Sequence, residues 1–128
     1  MSPCNFLQNG DARFAIFVCN FWEFALAKNM RKSIDGLAAV VQEHFNMDPF
    51  EPALFLFCGR KADRIKALMW ENDGFVLLYK RLESGKFQWP RSEDELKPIS
   101  WQQFRWLMEG LQVEQKLVIR PAPKGRFL

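Results

Sequence analysis

The stretch Gly59–Pro90, GRKADRIKALMWENDGFVLLYKRLESGKFQWP, decides the fold of this chain. Residues 64–70 alternate: Ile65, Ala67 and Met69 point one way, and Arg64, Lys66, Leu68 and Trp70 the other. Such period-2 patterning predicts a half-buried strand. Asn72-Asp73-Gly74 then marks a hairpin, because Asn, Asp and Gly tolerate positive φ. Phe75–Leu82 forms the return strand. Glu83-Ser84-Gly85 turns the chain again, Lys86–Trp89 makes a short third strand, and Pro90 stops it.

Working outward, Ala53–Cys58 (ALFLFC) is a continuous apolar run of strand length, consistent with a central strand. Upstream, Ile34, Leu37, Ala38, Val41 and Phe45 fall at helical spacing, with Asn29 as the expected cap, Met30 as the first helical residue, and Asn46 and Pro49 as terminators. Gly36 inside that helix costs up to about 1 kcal/mol against alanine, which suggests close packing there. Phe14–Leu26 is rich in Phe, Val and Ile and is expected to contain a strand or two. Downstream, Ser100 and Gln103 form a capping box, and Ile99 and Phe104 a hydrophobic staple. Phe104, Leu107, Met108 and Leu111 make the buried stripe of this second helix, with Gly110 near its end. Residues 116–120 can add a strand.

Helix, antiparallel β-meander and helix predict an α+β domain with the helices packed on one face of the sheet. At 128 residues the chain is expected to be a single domain over 1–128, with 1–13 and 121–128 flexible. Its 13 Phe and five Trp supply a large apolar payload, which argues against disorder.

The net charge of +3 matters less than its distribution. Residues 59–91 carry eight basic against four acidic residues, and residues 115–128 four against none; the segment between them, 92–114, carries two against five. Patchiness of this kind suits a polyanion or an acidic partner, and ordinary surface scatter is the competing explanation. Cys4, Cys19 and Cys58 are odd in number and widely spaced, and His44 stands alone, so neither a disulfide framework nor a structural zinc site is expected. Free thiols fit a reducing cytoplasm. The apolar run Phe14–Ala27 is interrupted by Asn20 and Glu23 and is too short to span a bilayer. Residues 1–10 lack the basic start of a signal peptide.

The hairpin concentrates charge. A three-residue loop sets Lys66 opposite Lys80, and a two-residue Asp73-Gly74 loop sets Lys66 opposite Arg81. Either way two cations face each other, which costs stability unless an anion or solvent separates them. Lys and Arg there suit phosphate contacts, and Trp70 suits base stacking. A merely solubilised face with Trp70 partly in the core accounts for the same residues. Arg31 and Lys32 near a helix start oppose the helix dipole, a cost that a phosphate would relieve and that an ion pair with Asp35 would also relieve. A catalytic site is hard to assemble: there is no HExxH, no glycine-rich phosphate loop and no nucleophile with an adjacent base. Asp73 is explained by the turn, and Asp63 by pairing with Arg60 or Lys66. No catalytic residue, metal or cofactor is expected.

Met30-Arg31-Lys32-Ser33-Ile34-Asp35-Gly36-Leu37, Gly59-Arg60-Lys61 with Asp63-Arg64-Ile65-Lys66, Tyr79-Lys80-Arg81-Leu82-Glu83, Gly85-Lys86-Phe87 and Trp89-Pro90 occur in that order. Over roughly residues 20–111 this set resembles the accessory Orf2-like proteins, called TnpB, of the bacterial insertion-sequence sixty-six family. The family usually carries Thr-Asp before its Met-Arg-Lys, where this chain has Lys28-Asn29. The resemblance implies a small non-catalytic protein of DNA transposition, encoded beside a separate transposase. Its expected partner is DNA, met through a basic sheet face. The alternative is a protein-interaction module that binds the transposase or self-associates. The residues expected to act together are Arg31, Lys32, Arg60, Arg64, Lys66, Lys80 and Arg81, with Trp70 added from the surface argument.

Overall fold

The computed structural model describes residues 14–20, 33–90, 96–115, 117 and 119–125. Its elements run β1 (Ala15–Cys19), α1 (Ile34–Ala39), β2 (Ala53–Cys58), β3 (Arg64–Glu71), β4 (Gly74–Arg81), β5 (Leu96–Ile99) and α2 (Trp101–Met108). The five strands form one sheet in the order β4-β3-β2-β1-β5. The class is α+β, and β2-β3-β4 is an antiparallel meander. The sheet as a whole is mixed, because β1 runs parallel to β2 and antiparallel to β5. A parallel neighbour is possible here because the long connection between β1 and β2 carries a helix, which a tight turn cannot provide.

All six residues of β2 are buried, and the third position of five explains why. Successive side chains point to opposite faces of a sheet. Leu54, Leu56 and Cys58 join a core with Ile16, Val18, Ile65, Ala67 and Met69, capped by Phe104 and Leu107 of α2. Ala53, Phe55 and Phe57 join a second core with Leu68, capped by Leu37 and Val41 of the first helical segment. The two helices therefore cover opposite faces of the sheet, not one face as the sequence suggested. A strand that is apolar on both sides needs cover on both sides.

Helix α1 begins at Ile34, after Ser33 in extended geometry (φ −86°, ψ −169°). Residues 21–32, which hold Asn29 and Met30, lie outside the described residues, as do 1–13 and 126–128. The helix continues as a π-helical segment, Val40–His44, in which the Phe45 N–H donates to Val40 O at 3.2 Å. Asn46, at φ +53°, then breaks it, as the sequence indicated. The expected stripe holds: Leu37 and Val41 are fully buried, and Ile34, Ala38 and Phe45 pack beside them.

Helix α2 matches its sequence signature closely. The Gln103 N–H donates to Ser100 Oγ at 3.1 Å, and the Ser100 N–H donates to Gln103 Oε1 at 2.9 Å. At the other end Gly110 adopts φ +84°, with the Gly110 N–H on Leu107 O and the Leu111 N–H on Trp106 O at 2.8 Å. This is a Schellman closure, and only a residue without Cβ adopts that φ at little cost. The chain turns away at that point, so Leu111 is 45% exposed instead of completing the buried stripe.

The strand expected at Lys86–Trp89 does not form. After the Glu83–Gly85 bend, residues 86–90 pair with no strand; the Phe87 N–H donates to Ala62 O at 2.7 Å. Phe87 and Trp89 are nevertheless buried while Lys86 and Gln88 are exposed. The alternation that suggested a strand is that of a strap laid on the core. Trp89 is fixed by its Nε1–H on Asn20 Oδ1 at 2.6 Å, and the Asn20 amide donates to Pro90 O at 2.9 Å. Among the described residues of 116–120 there is no strand, and Leu117 and Ile119 are almost wholly exposed.

Candidate nucleic-acid interface

The β3–β4 register places the basic residues differently from either expected pairing. Glu71 pairs with Gly74, so Asn72-Asp73 is the two-residue loop, with Asn72 at φ +42°. Lys66 therefore faces Tyr79, Trp70 faces Phe75, and Arg64 faces Arg81. Opposed cations do occur, but the pair is Arg64–Arg81. Each arginine has its own acid: Arg64 Nε lies 3.2 Å from Asp63, and Arg81 Nη2 lies 3.0 Å from Glu83. Asp63 thus pairs with Arg64 and not with the expected Arg60 or Lys66. Its carboxyl is held below the usual range, chiefly by the hydrogen bond from Arg64. The Arg64 guanidinium is raised by Asp63 first and Tyr79 second.

Lys66 places its ammonium 5.7 Å from the centre of the Tyr79 ring. Partial burial lowers its affinity for a proton. A flanking ring offsets part of that desolvation.

Arg64, Lys66 and Arg81 share one face of the hairpin with Leu68 and Tyr79, whereas Lys80 faces Ile65 and so lies on the other. The expected set is split across the sheet. What unites it is an end of the sheet, not a face. The β2–β3 connection carries Arg60 and Lys61, both exposed; beside it begins β3 with Arg64, and β4 ends there with Lys80 and Arg81. Lys86 follows on the strap, whose Phe87 is bonded to Ala62 of the same connection. Arg60, Lys61, Lys80 and Lys86 make no ion pair among the described residues. Six cations thus gather around two acids, Asp63 and Glu83.

Trp70 does not belong to this group. It lies six residues along β3 from Arg64, about 20 Å away. There it packs edge-on against Phe50 and Phe75, with ring centres 5.0 Å from each. Phe50 leaves this trio 54% exposed, so the hairpin-tip end carries an aromatic patch. Arg31 and Lys32 lie outside the described residues.

A cleft of about 500 Å³ opens beside the basic end. Ala62, Phe87, Trp89 and Val113 wall it, and Lys86, Lys97, Gln112 and Glu114 stand around it. Lys97 Nζ donates to Glu114 Oε1 at 2.7 Å and holds that carboxyl below its ordinary range. Ala62, residues 86–90, Lys97 and residues 112–114 meet here only through the tertiary fold, which no local pattern signals.

Among the described residues no three of His, Cys, Asp and Glu are grouped so as to hold a metal ion, and no helix is long and apolar enough to cross a membrane. Cys19 and Cys58 are buried free thiols, and burial pushes the Cys19 thiol well above its ordinary value.

A small mixed-sheet domain with a cationic sheet end is the class of protein that emerges. The sequence model of the IS66 Orf2 like protein family matches residues 21–117, and the chain belongs to that family. The family is one of accessory proteins of insertion sequences, as the ordered motifs indicated. The chain is 34% identical over 96 residues to the uncharacterized protein y4jC of Sinorhizobium fredii, covering 73% of this chain and 82% of that protein. It is 35% identical over 83 residues to the uncharacterized protein y4hO of the same organism, covering 65% and 72%. No solved structure matches the chain.

Proposed function

We propose that this protein is a non-catalytic accessory factor of transposition that binds the DNA backbone through the basic end of its sheet. The observation that carries this reading is the gathering of Arg60, Lys61, Arg64, Lys80, Arg81 and Lys86 at one end of a five-stranded sheet. Lys66 stands one turn of the pleat inward. Four of these cations, Arg60, Lys61, Lys80 and Lys86, have no acidic partner among the described residues, which leaves them available to phosphate. Phosphate contacts position a protein on DNA without reading sequence, so binding through this end is expected to be largely sequence-independent. Reversing Arg60 and Lys61 to Glu tests the assignment in a fluorescence-anisotropy titration with a short labelled duplex. Both side chains are exposed, so the fold is expected to survive. Affinity should fall at least tenfold, and an unchanged affinity would remove the site.

A second reading is supported by the aromatic patch of Phe50, Trp70 and Phe75 at the far end of the sheet. A half-exposed Phe50 seated on the partly buried Trp70 and Phe75 favours a protein partner, such as the transposase of the same element or a second copy. The two ends lie about 20 Å apart, so DNA and protein contacts are compatible on one molecule.

A further inference from the structure

The sheet has two edges, and the chain treats them differently. β5 is four residues long and carries Pro98, which has no N–H to offer a further strand. Shortness and proline both close an edge to pairing. β4 has neither. It is eight residues long, contains no proline, and pairs with β3 alone among the described residues, in a register unbroken by any bulge. Residues of an antiparallel strand alternate between those bonded to the neighbour and those turned from it. β4 therefore presents a row of backbone N–H and C=O groups at the rim of the sheet. The side chains along this rim are apolar from Phe75 to Leu78, and Tyr79 beside them is 51% exposed. Charge is confined to Lys80 and Arg81 at the strand's end.

Such an edge takes an added strand, and the register says which strand fits. A second copy laid antiparallel about a two-fold axis through Leu77 keeps the two faces of the sheet in common. Phe75 and Leu77 stay on the face of the first helical segment, and Leu78 stays on the face of α2. The axis sets Leu77 against Leu77, Val76 against Leu78, Phe75 against Tyr79 and Gly74 against Lys80 of the other copy. No two cations oppose each other, and the Phe75–Tyr79 pairs are aromatic contacts that stabilise a ladder. A parallel arrangement would instead set Lys80 beside Lys80 and Arg81 beside Arg81. Self-complementarity about a two-fold axis is what an isologous interface requires. We propose that β4 pairs with β4 of a second copy, joining two five-stranded sheets into one. The inference rests on the second reading above, that of a protein partner; it names the second copy and puts the contact on the β4 edge. The basic ends of the two copies then lie on opposite sides of the joined sheet.

The test is sedimentation equilibrium of the full chain together with cysteine cross-linking. Wild type should sediment with twice the mass of the chain at high micromolar concentration. Tyr79→Glu places a carboxylate that can meet Lys66 within one copy but must lose its water against Phe75 of the other. It should raise the dimer dissociation constant by about tenfold or more. Leu77→Cys, in a Cys4→Ser background, brings two thiols opposite each other at a cross-strand spacing that a disulfide can bridge. Oxidation with diamide should give a disulfide-linked dimer, whereas Leu96→Cys on the β5 edge should give none. Phe50→Ala, off the edge, should leave the dimer intact. A wild type that remains a monomer would overturn the inference. So would a dimer indifferent to Tyr79→Glu that yields no Leu77→Cys cross-link, and a dimer lost with Phe50→Ala but kept with Tyr79→Glu would move the contact to the aromatic patch. None of these readouts involves DNA, so failure here leaves the DNA-binding reading standing.

Discussion

Arg64 and Arg81 stand directly opposite each other across the β3–β4 hairpin, each tethered to a neighbouring acid, Asp63 and Glu83. Like charges in register are unfavourable in a sheet. The local acids offset this only partly, because exposed ion pairs contribute little. A surface that retains such an arrangement is better suited to meeting an anion than to stabilising the fold.

Arg81→Gln should therefore separate stability from binding. The melting temperature is expected to equal or exceed that of wild type at low salt. Affinity for duplex DNA should drop severalfold, and the magnitude of its salt slope should fall by about 1. A large loss of melting temperature would show that Arg81 is a structural residue.

Leu107 and Leu111 differ in burial, although the sequence placed both on one stripe. Leu107→Ala empties a fully buried site against the α2-side core and should cost about 2–5 kcal/mol. Leu111→Ala, beyond the Gly110 turn, should stay within about 0.5 kcal/mol. Denaturant titration of the two variants checks the difference.

Asn20 is a fully buried polar residue and joins β1 to the strap through Trp89 and Pro90. Asn20→Ala leaves the Trp89 Nε1–H and the Pro90 carbonyl without that partner, at a cost of about 1–3 kcal/mol for each buried group so left. Hydrogen exchange of the strap amides, including that of Phe87, should accelerate more than exchange in β2.

Asp63 and Glu114 are both held below their ordinary range, by Arg64 and Lys97 respectively. A depressed carboxyl contributes stability that is complete above its unfolded pKa and is lost as pH falls through the folded one. Stability should therefore be flat with respect to these groups above about pH 5 and decline below about pH 4. Both pairs are solvent-screened, so the decline they cause is shallow. Glu114→Gln should make the acid limb of a melting-temperature profile shallower still.

Much of this fold was legible where local rules act locally. The Ser100–Gln103 capping box, the existence of a hairpin at Asn72-Asp73-Gly74, the Asn46 stop and the apolar β2 run each follow from a few adjacent residues, and each is present. The long-range choices were not legible. Alternation at Phe87 and Trp89 marks an extended segment facing a core, but it cannot say whether a strand pairs with it. The two-sided burial of β2 already required cover on both faces, which placing both helices on one face overlooked. The hairpin register differed from either expected pairing, because the loop was Asn72-Asp73 and not one that included Gly74. That moved Lys66 from a facing cation to Tyr79 and left Lys80 on the opposite side. The basic residues meet at an end of the sheet and not on the expected face, because that grouping depends on where strands start and stop and not on which face a residue takes. The cleft had no local signature, since residues 86–90 and 112–114 meet only through the tertiary fold.

The most direct measurement is the affinity for a short duplex over a salt series with the full chain. About four to six phosphate contacts at the basic end give a log–log slope of about −4 to −5. That slope should fall in magnitude by about 2 when Arg60 and Lys61 are reversed. Absence of binding at low salt, or a slope unchanged by the reversal, would contradict the claim that this end of the sheet holds DNA.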